Sequence, residues 1–239
     1  MGISRYLALT GEELEAAPSL FRALPAYMAC HFSPYGTGLS DPPQSLPPGS
    51  MLILNDRIPI RGHDPKQITA ELEALLGKWR CGCLLLDFQR PGSSETERLC
   101  RALVSALSVP VGVSDHYAGS LSCPVFLPPP LPVFPPARLQ ETWPGRELWL
   151  DAAPSHCAVT VTARGAAEKT LPWTSPPEDC FSHPGLHCRY RQEVSREEIR
   201  FFLWRGLAEL DALAESLGIT RTVGLYQDYL PGTQKSSLP

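Results

Sequence analysis

The chain has 239 residues, 43% hydrophobic and 19% charged, with a net charge of -4; that is enough apolar content for a sizeable core. The acidic balance and the lack of a Lys/Arg cluster set nucleic acid aside as a partner, because phosphate binding needs a concentrated basic face. No stretch approaches the ~18 apolar residues of a membrane span, and Met1 to Tyr6 leads into Glu12, Glu13 and Glu15 without an apolar signal segment, so a cytoplasmic protein without membrane contact is expected.

Residues 11 to 23 carry Leu14, Leu20 and Phe21 among acidic and small residues, the pattern of an amphipathic helix. Ala26 to Phe32 reads as a first strand, and the four prolines between Asp41 and Ser50 read as an extended crossing. Met51 to Leu54 is a second strand that closes on Asn55, Asp56 and Arg57. Asp64, Pro65 and Gln67 mark a helix start of the capping-box kind, with Ile68, Leu72, Leu75, Leu76 and Trp79 on its buried face. Cys83 to Leu86 is a short apolar run suited to a buried parallel strand, and it stops at Asp87 and Gln89. Ser93 or Ser94 then caps a helix with Leu99, Leu103 and Leu107 inward, and Val109 to Val113 is a fourth strand ending in Ser114, Asp115, His116 and Tyr117.

Strand, helix, strand, helix, strand at these lengths requires parallel pairing with right-handed crossovers. Cys123 to Leu127 is a fifth strand. The prolines that follow, within a total of 26, cannot be helical, so this crossover is extended. Glu147 to Asp151 is a sixth strand; the alternation at 158–163 and 187–193 marks an antiparallel excursion. Ser195 to Glu198 reads as a capping box opening a helix with Ile199, Phe202, Leu203, Leu207, Leu210 and Leu217 inward and Gly218 as its stop. Thr222 to Tyr226 is a last strand, ending in Gln227, Asp228 and Tyr229. These elements add up to a single TIM-like (β/α) barrel domain over residues 1–230, irregular in its second half, with a disordered tail at 231–239.

In such a barrel the carboxyl ends of the strands meet at one mouth. The residues placed there are His31, Asn55, Asp56, Asp87, Gln89, Asp115, His116, Asp151, Tyr226 and Asp228. Asp87, Asp115, Asp151 and Asp228 are the candidate catalytic carboxylates. His31, Asn55, Asp56, Gln89, His116 and Tyr226 are the candidate substrate contacts, and Tyr35, Tyr117, Tyr226 and Tyr229 are available to stack on a ring.

The segment Gly82 to Pro91, with Asp87-Phe88-Gln89-Arg90-Pro91 at its end, resembles the signature of family 18 glycoside hydrolases, the chitinase-like barrels, in which an Asp-x-Asp-x-Glu stretch closes a strand. The resemblance implies a carbohydrate ligand and gives Asp87 the role of orienting a substrate N-acetyl group. It also exposes two departures. Gln89 stands where the family has its proton-donating Glu, and Leu85 replaces the earlier Asp. A glutamine has no proton to give at useful pKa, so the family's standard mechanism fails here. Either another carboxylate supplies the acid, or the mouth binds without cleaving.

Cys180, His183, His187 and Cys188 carry four potential zinc ligands. Their spacing fits no common module, and adjacent His187 and Cys188 point to opposite faces of a strand, so no metal or other cofactor is assigned. Cys30, Cys83, Cys100 and Cys157 sit in apolar settings and read as reduced thiols, and Cys81-x-Cys83 lacks redox spacing. There is no Gly-x-Ser-x-Gly elbow and no phosphate-cradling loop. The proline-rich segment 124–136 is either a rigid crossover or a surface presented to a protein partner.

Overall fold

The computed structural model describes residues 2–16, 23–133 and 135–229. Residues 17–22 of the predicted 11–23 helix and the 231–239 tail lie outside these residues. In chain order the elements are β1 (Ser4–Leu9), α1 (Gly11–Ala16), β2 (Leu24–Phe32), β3 (Leu39–Ser40), β4 (Met51–Asn55), α2 (Pro65–Trp79), β5 (Cys83–Asp87), α3 (Ser94–Ala106), β6 (Val111–Ser114), α4 (Asp115–Ala118) and β7 (Val125–Leu127). They continue with α5 (Ala137–Thr142), β8 (Leu148–Asp151), β9 (Ser155–Thr162), β10 (Gly165–Leu171), β11 (Phe181–His183), β12 (Cys188–Val194), β13 (Glu198–Arg205), α6 (Leu207–Ser216) and β14 (Arg221–Leu225). The chain divides into two compact units, the first made of residues up to Pro128 with Arg146–Asp151 and Thr220–Tyr226, the second built on Pro129–Gly145 and Ala152–Ile219.

The first unit is the expected barrel. Its strands run β1-β14-β8-β7-β6-β5-β4-β2, all parallel, and β1 pairs with β2 to close the ring. The closing strand β1 is absent from the sequence reading. Its last four residues, Tyr6-Leu7-Ala8-Leu9, form an apolar run as short as those of the other strands and are buried. Side chains that alternate along the strands fill the interior: Tyr6 and Ala8, Met51 and Ile53, Cys83 and Leu85, Phe126, Trp149 and Val223. Trp149 is fully buried. It has room because β6 presents Gly112, where a Cβ would lie 2.3 Å from the indole.

The α2 start is as expected in two respects: Asp64 accepts the Lys66 N–H and Pro65 takes the first helical position. Gln67 does not complete a capping box, since its amide donates to Glu71 at 2.9 Å along the helix face. Ser93 caps α3 by accepting the Thr96 N–H. Beyond the prolines the short helix α5 forms, which the extended reading of this crossover did not include.

The second unit is an antiparallel sheet of order β10-β9-β13-β12-β11. Here the sequence reading needs a correction, because Glu198–Arg205 is a strand and the helix begins only at Leu207. Ser195 does cap something, namely the hairpin turn, where its Oγ accepts the Glu198 N–H at 3.2 Å. Ile199, Phe201 and Leu203 alternate, while Ile199, Phe202 and Leu203 fit a helical repeat, and Leu203 packs with Cys157 and Cys188 on one sheet face. Cross-strand burial of aromatic and β-branched residues decides between the two periods. Gly218, with φ +65°, ends the helical stretch as expected.

Arg205, at the end of β13, is fully buried with no exposed surface. Its five N–H donors reach the carbonyls of Pro130, Leu131, Pro132, Leu186 and His187 at 2.5–3.4 Å. Burial pulls its pKa down to about 10, which leaves it charged at neutral pH. The carbonyls of 130–132 are thereby committed to holding the proline-rich crossover against the sheet.

Two outcomes are expected from stability measurements. Gly112→Ala drives a methyl into the Trp149 ring and costs the barrel about 1–3 kcal/mol by urea unfolding. Arg205→Lys offers at most three donors to the five carbonyls; at about 1–3 kcal/mol for each buried group left unpaired, it costs the second unit about 2 kcal/mol or more.

Candidate functional site

The pleat decides which strand-end side chains enter the mouth. Ile53, Leu85 and Trp149 line the barrel interior, so Asn55, Asp87 and Asp151, each two residues further on, share that inward face at the carboxyl ends of β4, β5 and β8. Asn55 and Asp87 are register partners on adjacent strands. Leu85, which stands at the first acidic position of the chitinase-like signature, is 1% exposed in the apolar interior.

Around Asp87 the backbone is tightly specified. Asp56 is buried and accepts two successive main-chain N–H groups, from Gln89 at 3.0 Å and from Arg90 at 2.8 Å. Arg90 returns the contact through Nε to the Asp56 carbonyl at 2.7 Å and through Nη2 to the Arg57 carbonyl at 2.8 Å. Ser114 bridges the neighbouring strand end, accepting the Phe88 N–H at 3.0 Å and donating to the Leu86 carbonyl at 3.1 Å. Phe88 is fully buried between Phe32 and Tyr117. The result is a rigid turn from which the Gln89 side chain folds back, its amide donating to Asp87 Oδ1 at 2.5 Å.

Asp87 is held above the ordinary carboxylate range. Burial is the main cause and the Asp56 charge adds to it, while the Gln89 hydrogen bond and the nearby His116 act the other way. His116 and Asp115 form a partly exposed pair, Nδ1 to Oδ1 at 3.1 Å, and the same oxygen accepts the His116 N–H at 2.8 Å.

The remaining candidates are placed less uniformly. His31 is the register partner of Asn55, but its ring turns to Asp41, 3.4 Å away, and to the Ala29 carbonyl. Asn55 spends its amide on the Met28 and Cys30 carbonyls at 3.0 and 3.2 Å. Tyr226 and Asp228 lie in the single turn of 3₁₀ helix that follows β14. Tyr117 is no stacking platform: its ring is buried and its hydroxyl donates toward the Arg90 and Pro91 carbonyls at 3.0 and 3.1 Å. Tyr35, by contrast, is 88% exposed. Ser114 and Arg90 are the participants that the sequence reading did not single out. Their only signal is position, one at a strand end and one beside the signature.

Among the described residues no group of three or more His, Cys, Asp or Glu side chains gathers as a metal site. In the Cys180–Cys188 segment Cys188 is buried, His183 accepts the Leu186 N–H, and His187 takes a left-handed backbone with φ +46°. All eight cysteines are free thiols, and burial raises Cys30 and Cys100 to about 12. No described helix is long and apolar enough to cross a membrane.

The raised pKa of Asp87 has a sign that can be tested. Below the unfolded carboxylate value of about 3.9, both states are protonated and the group is neutral to stability. As pH rises from there through the folded value, ionisation costs the folded state more than the unfolded one. Asp87→Asn therefore raises the melting temperature at pH 7, and the gain disappears as pH is lowered to about 3.9; calorimetry of the two proteins over pH 3–8 checks this.

No family profile and no curated protein matches the sequence. The fold is similar to two solved structures, the spore cortex-lytic enzymes SleL of Bacillus cereus and of Bacillus megaterium QM B1551. Each aligns at TM-score 0.53 and 10% identity, over 93% and 92% of this chain respectively and 70% of the other. At this identity the likeness is one of architecture, and it agrees with the barrel expected from the sequence.

Proposed function

We propose that the protein is a glycoside-hydrolase-like barrel whose mouth binds a carbohydrate, or a similar polyol, through Asp87, and that it lacks the standard catalytic acid of the chitinase-like enzymes. The observation that carries this reading is the bond from the Gln89 amide to Asp87. At the position where the resemblance calls for a proton donor to the substrate, this chain has an amide turned onto its own carboxylate. A carboxyl group and an amide side by side offer acceptor and donor atoms matched to sugar hydroxyls. The SleL likeness suggests the class of glycan to try.

A second reading is favoured by one observation, the elevated pKa of Asp87. A carboxyl whose pKa is raised by burial suits a general acid, and on this reading Asp87 itself is the proton donor of an active hydrolase. Asp56 is a poor second carboxylate for such a mechanism, since both of its oxygens are taken by main-chain N–H groups. Asp115 and Asp151 remain as its partners.

Titration calorimetry with chitotriose and with soluble cortex-peptidoglycan fragments, paired with a reducing-end assay, tests both readings. The binding reading expects saturable heat, no release of reducing ends, and at least a tenfold weaker affinity in Asp87→Ala with an unchanged circular dichroism spectrum. Absence of binding to either glycan removes it. Turnover that survives Gln89→Ala and is abolished by Asp87→Asn establishes the second reading in its place.

A further inference from the structure

We propose that Asp56 is a positioning residue for the mouth, acting on Asp87 through the backbone and side chain of Gln89 without touching ligand. The inference rests on the reading that Asp87 is the ligand contact, and it changes the role assigned to Asp56 from strand-end position alone. Asp56 is 5% exposed. Each of its carboxylate oxygens accepts one main-chain N–H, at 3.0 and 2.8 Å, so the side chain faces the main chain of the following turn.

What this arrangement fixes is the direction in which the chain leaves β5. Two consecutive N–H groups anchored to one carboxylate define the plane of the Gln89–Arg90 peptide, because the acceptor is charged and such bonds are short and directional. The Arg90 guanidinium closes the clamp from the other side on the carbonyls of Asp56 and Arg57. Tyr117 holds the following carbonyls, those of Arg90 and Pro91. With the turn held at both ends, the Gln89 amide reaches back only to Asp87. Without the clamp, Gln89 is free to leave, and Asp87 loses the hydrogen bond that supports its charged form. A side chain whose partners are all main-chain groups of the next strand's loop is doing the work of a template, as supporting shells do around other sites.

A double-mutant cycle between Asp56→Asn and Gln89→Ala, read as chitotriose affinity, separates this role from direct contact. Asp56→Asn is expected to weaken binding about tenfold in the wild-type background and by no more than about twofold once Gln89 is alanine. A tenfold loss in both backgrounds overturns the proposal. A second readout needs no ligand: by hydrogen exchange, the Gln89 and Arg90 amides should exchange at least tenfold faster in Asp56→Asn, while those of Leu84 to Leu86 keep their rates. Unchanged Gln89 and Arg90 rates also overturn it. If Asp56→Asn does not fold, Arg90→Ala opens the same clamp from an exposed side chain and is held to the same exchange criterion. If wild-type protein binds no chitotriose, the carbohydrate reading fails, and the exchange rates alone decide the role of Asp56.

Discussion

Everything at the mouth depends on the closure of the barrel by β1. A parallel sheet of seven strands would leave β14 and β2 with open edges and would expose the inward face that Tyr6, Met51, Cys83 and Trp149 now fill. Closure turns alternation along each strand into a choice between a dry interior and an outer face. With that choice made, the residue two positions beyond the last interior side chain of β4, β5 and β8 faces the mouth. Asp87 is a mouth residue because Leu85 is a core residue.

The interior is not uniformly apolar, and polar groups gather at both of its ends. At the amino-terminal side Trp149 donates to Glu147, which also accepts from Thr220 and Arg221, while the Arg221 guanidinium lies 4.7 Å over the indole. These contacts fix the largest interior side chain, and Gly112 makes the space for it. At the carboxyl side the polar groups are arranged differently. Asp56, Ser114, Arg90 and Tyr117 spend their hydrogen bonds on main chain and so build a rigid turn. Asp87, held by Gln89, is left near the surface with a disfavoured charge.

The second unit shows the same economy with a different residue. Arg205 reaches five carbonyls from two separate chain segments, which makes the rigid-crossover reading of residues 130–132 the better one. A polyproline ligand for another protein presents its carbonyls outward, whereas these three are already bound.

Local pattern was enough to mark most barrel strands, the α2 and α3 boundaries and the polar strand ends, because each is written in a run of neighbouring residues: an apolar tetrad stopping at Asp87, or Asp64-Pro65 before an amphipathic stretch. The same short range misled at Ser195 to Leu203, where alternation and helical spacing coincide and only pairing with Cys157 and Cys188 selects the strand. It also passed over β1, whose burial comes from neighbours more than two hundred residues away along the chain on one side. At the mouth, residue types and order sufficed to nominate Asp87 and to disqualify Gln89 as an acid. The division of labour among the carboxylates needed three dimensions, because whether an aspartate meets a backbone N–H or a ligand is decided by which loop folds over it. Asp56 and Asp87 stand at the ends of adjacent strands with the same side chain, and only the path of residues 88–91 sets one against main-chain N–H groups and the other against the Gln89 amide.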